Sequence, residues 1–183
     1  REASVKSMVL LKNDEVDGTP TLPLKSDISN IAVVGRLANS TDTGDKGSSA
    51  VRCPEVVSPY QGLKKALPQA DVALEESEDP EKVKAAAGAA DVTVVVVGYN
   101  FEDEGEFNVP AFETNPAVNS VLPPSDGSEE SKWVFEQWTV PKEKKKENHA
   151  VATGGDRTSL RLRPQDVEVI KAAVEANPRT IVS

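Results

Sequence analysis

The sequence predicts an α/β fold, a mostly parallel sheet flanked by helices, and three observations carry that prediction. Ile31-Ala32-Val33-Val34-Gly35 is a short continuous apolar run, as a strand buried on both faces requires. Val92 to Val97 is a second, with five valines in six residues, closed by Gly98. Around them, Ser58-Pro59, Asp79-Pro80 and Pro164 carry the chemistry of helix starts. Buried strands alternating with helices give βαβ units and hence a parallel α/β sandwich.

Taken in order, the elements follow from local chemistry. Residues 1–13 place Val5, Met8 and Val9 at helical spacing before an extended Val-Leu-Leu. Thr19 to Leu24 holds two prolines, which fix extended or turn geometry, so residues 1–24 read as an incoming linker helix and extended segment. The sandwich then occupies 25–183. Ser58 caps a helix with Pro59 at its first position, and Pro68 ends it. Asp71 to Leu74 reads as a strand, and Asp79-Pro80 opens an Ala-rich helix ending near Ala90. Pro164 opens the last helix, with Val167, Ile170 and Val174 on one face; Asn177-Pro178 stops it, and Thr180-Ile181-Val182 begins another strand.

One stretch departs from this alternation. Residues 106–153 show no clear periodicity, yet hold five of the 13 prolines, both tryptophans and three of the four phenylalanines. Loops this long in compact domains are functional or disordered. Trp133, Phe135 and Trp138 suit either a sugar-stacking platform or anchors that fix the loop to its own domain. The chain opens at Arg1 rather than Met and stops inside a strand, so it reads as a fragment.

Composition narrows the function. Lys and Arg total 21 against 30 Asp and Glu, a net charge of −9, which argues against a nucleic-acid partner. No apolar run is long enough to span a membrane. Cys53 is the only cysteine, so an internal disulfide and a Cys-based zinc site are excluded; beside Pro54 it reads as a small buried or half-buried residue. His149, the single histidine, lies among charged residues and reads as solvated. Gly44-Asp-Lys-Gly-Ser-Ser lacks the phosphate-loop spacing, and no GxGxxG follows Gly35. No cofactor or metal is called for.

In open α/β sheets, ligands bind beyond the carboxyl ends of the strands. Two loops qualify. Arg36 to Val57 contains Asp42, Asp45, Lys46 and Arg52; the loop after Val97 contains Tyr99, Glu102, Asp103, Glu104 and Glu106, and resumes with Gly154-Gly155-Asp156-Arg157. Four acids in five positions repel one another, and where water is partly excluded one of them is held protonated, as a general acid must be. An exposed acidic turn is the simpler reading of the same residues.

Several strings in order resemble a known family. Ser7-Met-Val-Leu-Leu-Lys-Asn, then Leu22-Pro-Leu, Ile31-Ala-Val-Val-Gly, the Gly44–Ser49 loop and Ser58-Pro-Tyr-Gln-Gly-Leu resemble the second domain of glycoside hydrolase family 3 enzymes. Glu104-Gly105 with Asp156-Arg157-x-Ser-Leu-x-Leu is similar to that family's E-G-x-D-R-x-x-L-x-L segment, here split by the 106–153 insertion. Pro164-x-x-Val and Asn177-Pro-Arg-Thr continue the match.

The resemblance implies part of a β-glucosidase-like retaining glycosidase acting on a β-glucoside or oligosaccharide. In such enzymes a barrel domain, absent from this chain, supplies the aspartate nucleophile, and the sandwich supplies the glutamate acid/base. By position Glu104 matches that residue, with Glu106 second. Asp45 and Lys46 would line the mouth of the cleft. Asp156 and Arg157 read first as partners tying the end of the insertion back to the sheet, and second as direct sugar contacts. The alternative is a noncatalytic α/β module that binds carbohydrate or protein through 106–153.

Overall fold

The computed structural model describes residues 2–44, 51, 53–104, 126–133, 157 and 159–183. The chain forms two compact units: Arg1–Thr41, Val56–Gly98 and Arg161–Ser183 make the first, Asp42–Glu55 and Tyr99–Leu160 the second.

The first unit is the predicted α/β sandwich. Its four strands, β3 (Asn30–Val34), β4 (Asp71–Glu75), β5 (Val92–Val95) and β6 (Thr180–Val182), pair in parallel in the order β4-β3-β5-β6. The central register sets Ile31 beside Val72 on one side and Val92 on the other. Alternation along β3 and β5 feeds two cores, as period-two geometry dictates. Ile31, Val33, Val94 and Val96 pack on one face with Tyr60 and Leu63 of α2 (Pro59–Ala66) and with Leu67 at its C-cap. Ala32, Val34 and Val95 pack on the other with Val83 and Ala87 of α3 (Pro80–Gly88) and Val169, Ala172 and Ala173 of α4 (Pro164–Ala176).

The helix ends follow their caps. Ser58 Oγ accepts from the Gln61 amide at 3.2 Å while the Gln61 side chain accepts from the Ser58 amide, a reciprocal capping box. Asp79 Oδ1 accepts from the Glu81 amide at 3.0 Å at the start of α3. At the far end of α4, Asn177 Nδ2 donates to the carbonyls of Ala87 and Ala90, at 3.1 and 2.8 Å, satisfying acceptors at the end of α3.

Four differences from expectation have physical reasons. The buried face of α4 is Asp166, Val169, Ala172 and Ala173; Ile170 packs at its edge, and Val174 is half exposed. Two long helices on one sheet face meet closely enough that small residues form the seam, so the larger valine turns outward. Strand β5 is assigned only to Val95, although the Val96 and Val97 amides still donate to Val34 O and Ser183 O. Pro20 belongs to a two-stranded hairpin, β1 (Glu15–Val16) with β2 (Thr19–Pro20), turning through Asp17 and Gly18 at φ 52° and 75°, and Pro23 follows it. That Asp-Gly pair is the signal for such a turn. Arg179 Nη2 anchors the hairpin by donating to Val16 O at 2.6 Å and Thr19 Oγ1 at 2.9 Å. Lastly, within the stretch expected to be irregular, residues 129–133 are helical, with Ser128 Oγ accepting from the Ser131 amide. No helix among the described residues is long and apolar enough to cross a membrane.

Candidate active site

Strand order sets a topological switch point in the first unit. From β3 the chain goes through α2 to β4 on one side, then through α3 to β5 on the other, so the ends of β3 and β5 form a topological switch point. Here Gly35 takes φ 105° and passes so close to Val96 that a Cβ on it would meet the Val96 carbonyl oxygen at 2.5 Å. Arg36 Nη2 donates to Gly98 O at 2.8 Å, fixing the exit of β5 against the exit of β3.

The second unit takes up the chain at Tyr99, directly after that exit. Its first residues fold about Asn100. The Asn100 carbonyl accepts from the amides of Asp103 and Glu104 at 3.0 and 2.9 Å. Asn100 Oδ1 accepts from the Glu102 amide at 2.9 Å, and the Asn100 amide donates to Asp103 Oδ2 at 3.0 Å. Asn and Asp stabilise turns by such local bonds to backbone. The turn separates the acids by role. Asp103 and Glu104 are both half-buried, with Asp103 accepting from the Asn100 amide, while Glu102 is exposed.

Glu104 Oε2 lies 3.1 Å from Arg157 Nε, joining residues 53 positions apart, and both side chains are just under two-fifths exposed. The Arg157 guanidinium carbon lies 5.5 Å from the centre of the Tyr99 ring, within cation–π range. A carboxylate, a guanidinium and a phenol ring are thus brought together from both ends of the 106–153 stretch. An arrangement of this kind can hold one carboxyl group in a fixed orientation for proton transfer. The sequence singled out Glu104 and Arg157 separately; opposite charge 53 residues apart does not show pairing, and Tyr99 carried no signal beyond its place in the loop.

Of the other expected site residues, Asp45, Lys46, Glu106 and Asp156 lie outside the described residues, as do His149, Phe135 and Trp138. Cys53 is exposed rather than buried; its Sγ donates to Glu55 O at 2.9 Å, a local contact that needs no burial. Trp133 is largely exposed on the helical stretch at 129–133. At the start of that stretch, hydrogen bonds from Ser128 hold the Asp126 carboxyl below its ordinary pKa. No group of three or more His, Cys, Asp or Glu side chains among the described residues is placed to hold a metal ion.

Comparison with known proteins gives this geometry a family. The chain is 35% identical over 113 residues to a β-xylosidase/α-L-arabinofuranosidase of Medicago sativa subsp. varia, a match covering 58% of this chain and 14% of that protein. It is 43% identical over 63 residues to an exo-1,4-β-xylosidase of Emericella nidulans, covering 34% of this chain and 7% of that protein. In structure it resembles a β-glucosidase of Bifidobacterium adolescentis, with a TM-score of 0.55 at 24% identity, covering 99% of this chain and 20% of that one; at that identity the likeness is one of fold. The chain thus spans a small fraction of the length of the relatives it matches. The model of the glycosyl hydrolase family 3 C-terminal domain matches residues 8–183, so this chain belongs to glycosyl hydrolase family 3.

Proposed function

We propose that this chain is the part of a retaining family 3 glycosidase that supplies the general acid/base, and that Glu104 is that residue. The observation that carries the reading is the placement of Glu104. It follows the end of β5 in the chain, and its half-buried carboxylate is held by the guanidinium of Arg157. Its role is to protonate the leaving oxygen as the glycosidic bond breaks, then to deprotonate water as the glycosyl-enzyme is hydrolysed. Glu106 is the second candidate. The nucleophile belongs to a barrel domain of the same enzyme, and Asp45, Lys46 and Asp156 are the further candidates for contact with the sugar. The names of the relatives support a β-linked xyloside or glucoside as substrate, acting on oligosaccharide ends.

The test is Glu104→Gln in the full-length enzyme that carries this segment, assayed on β-glycosides of graded leaving-group ability. We expect kcat/KM for sugar or alkyl leaving groups to fall by about 10²–10⁴-fold, the usual worth of general acid catalysis. Dinitrophenyl glycosides, whose leaving group needs no proton, should hold theirs within a few-fold. Equal losses on both classes would remove Glu104 from the role.

A further inference from the structure

Glutamate has three side-chain torsions, and a proton donor must sit within hydrogen-bond reach of one oxygen atom of the substrate. The turn about Asn100 fixes the Glu104 backbone through the bond from its amide to Asn100 O at 2.9 Å, but it does not fix the carboxyl group. Arg157 does, by presenting Nε to Oε2 at 3.1 Å. The guanidinium is in turn held over the ring of Tyr99, at the start of the same turn. The chain therefore closes on itself: Tyr99 seats Arg157, Arg157 orients Glu104, and Glu104 is tied by its backbone to the residue after Tyr99.

We infer that Arg157 is a positioning residue for Glu104, an inference that rests on the acid/base reading of that residue. Two features favour orientation over charge as its contribution. Both side chains are close to two-fifths exposed, so water screens much of the Coulombic attraction. The contact also has a chemical consequence. Arginine stays protonated and can only donate, so with its N–H on Oε2 the catalytic proton is carried on Oε1. That oxygen gives the proton to the leaving group as the glycosidic C–O bond breaks, and takes one back from water in the second step. Arg157 itself gains and loses no proton.

The experiment compares Arg157→Ala, Arg157→Lys and Tyr99→Leu with Glu104→Gln in the full-length enzyme. Arg157→Ala should lower kcat/KM for poor leaving groups by about 10²-fold, as expected of a misplaced catalytic group, and leave dinitrophenyl glycosides nearly unaffected. Guanidinium chloride at millimolar, non-denaturing concentration should restore part of the loss, and Arg157→Lys should fall between wild type and alanine. Tyr99→Leu, which leaves the ion pair but removes its seat, should show the same leaving-group selectivity at smaller amplitude, and it stands in if Arg157→Ala does not fold. Unchanged kinetics in Arg157→Ala with Glu104→Gln crippled would overturn the positioning role alone. Equal losses on both substrate classes, without guanidinium rescue, would overturn it as well. Unchanged kinetics in Glu104→Gln would overturn the acid/base reading and the positioning role with it.

Discussion

Gly35 and the carbonyl of Val96 approach so closely that no side chain can stand between them: a Cβ on Gly35 would lie 2.5 Å from that oxygen. The obstacle is backbone of a central strand end, which cannot swing aside as a side chain could. Residue 35 also holds φ 105°, where a β-carbon is strained. Gly35→Ala should therefore destabilise the first unit by about 2–4 kcal/mol, combining backbone strain with overpacking. A urea titration followed by circular dichroism measures it; an unchanged midpoint would show that the strand ends are looser than they stand here.

Asn177 joins the two helices of one sheet face. Its side-chain amide serves two carbonyls at the end of α3, and the residue is 7% exposed. Asn177→Ala would leave both acceptors without that donor, at a cost of about 2–4 kcal/mol. Asn177→Asp offers no better, because a carboxylate has no N–H to give. Thermal melting of both variants checks this, and a stable aspartate variant would count against the account.

Arg163 and Asp166 form a fork at the start of α4, with Nε to Oδ2 at 3.2 Å and Nη2 to Oδ1 at 2.7 Å, and Glu78 adds a third contact. Asp166 is 1% exposed. Its hydrogen bonds, followed by those of Glu78, hold the guanidinium above its ordinary pKa. A raised pKa means the contribution is fully present below the unfolded value and is lost only as pH rises through the folded one, so mild alkali should leave it intact. Asp166→Ala leaves the half-buried cation with Glu78 alone and should cost about 3 kcal/mol, whereas the double variant Arg163→Met with Asp166→Leu should recover much of that loss. Chemical denaturation of the single and double variants separates the two.

Ser58 carries two duties at one atom. Its Oγ accepts from the Gln61 amide, and its hydroxyl donates to Asn39 Oδ1 at 2.7 Å, so the cap of α2 is linked to the loop that follows β3. Ser58→Ala should cost about 1–2 kcal/mol, the upper part of the range for helix caps. Ser58→Asp would keep the cap but face Asn39 Oδ1 with another acceptor, so we expect it to recover only part of the loss. A melting-temperature series decides between these outcomes.

The sandwich was legible because its signals are local. The valine runs at 31–34 and 92–97 and the Ser-Pro and Asp-Pro starts of α2 and α3 each commit the backbone within a few residues. Relations between distant residues were not. The face of α4 that is buried depends on how closely α3 approaches, which no period within α4 encodes, and the sequence pattern chose Val174 where packing chose Ala172 and Ala173. The hairpin at Asp17-Gly18 was readable from its turn residues but was masked by Pro20, which sits in its second strand, and by Pro23 after it. At the candidate site, sequence placed Glu104 and Arg157 at the two ends of the long stretch, where no local pattern relates them. Their ion pair exists only once the chain returns.

The central claim is that Glu104 serves a retaining mechanism, and azide tests it most directly. Glu104→Gln in the full-length enzyme, given a dinitrophenyl glycoside, should still form the glycosyl-enzyme, and azide should then attack it without help from a base. The account predicts faster turnover with azide and a β-configured glycosyl azide as product, with neither effect in the wild type. No azide product, or one of inverted configuration, would contradict it.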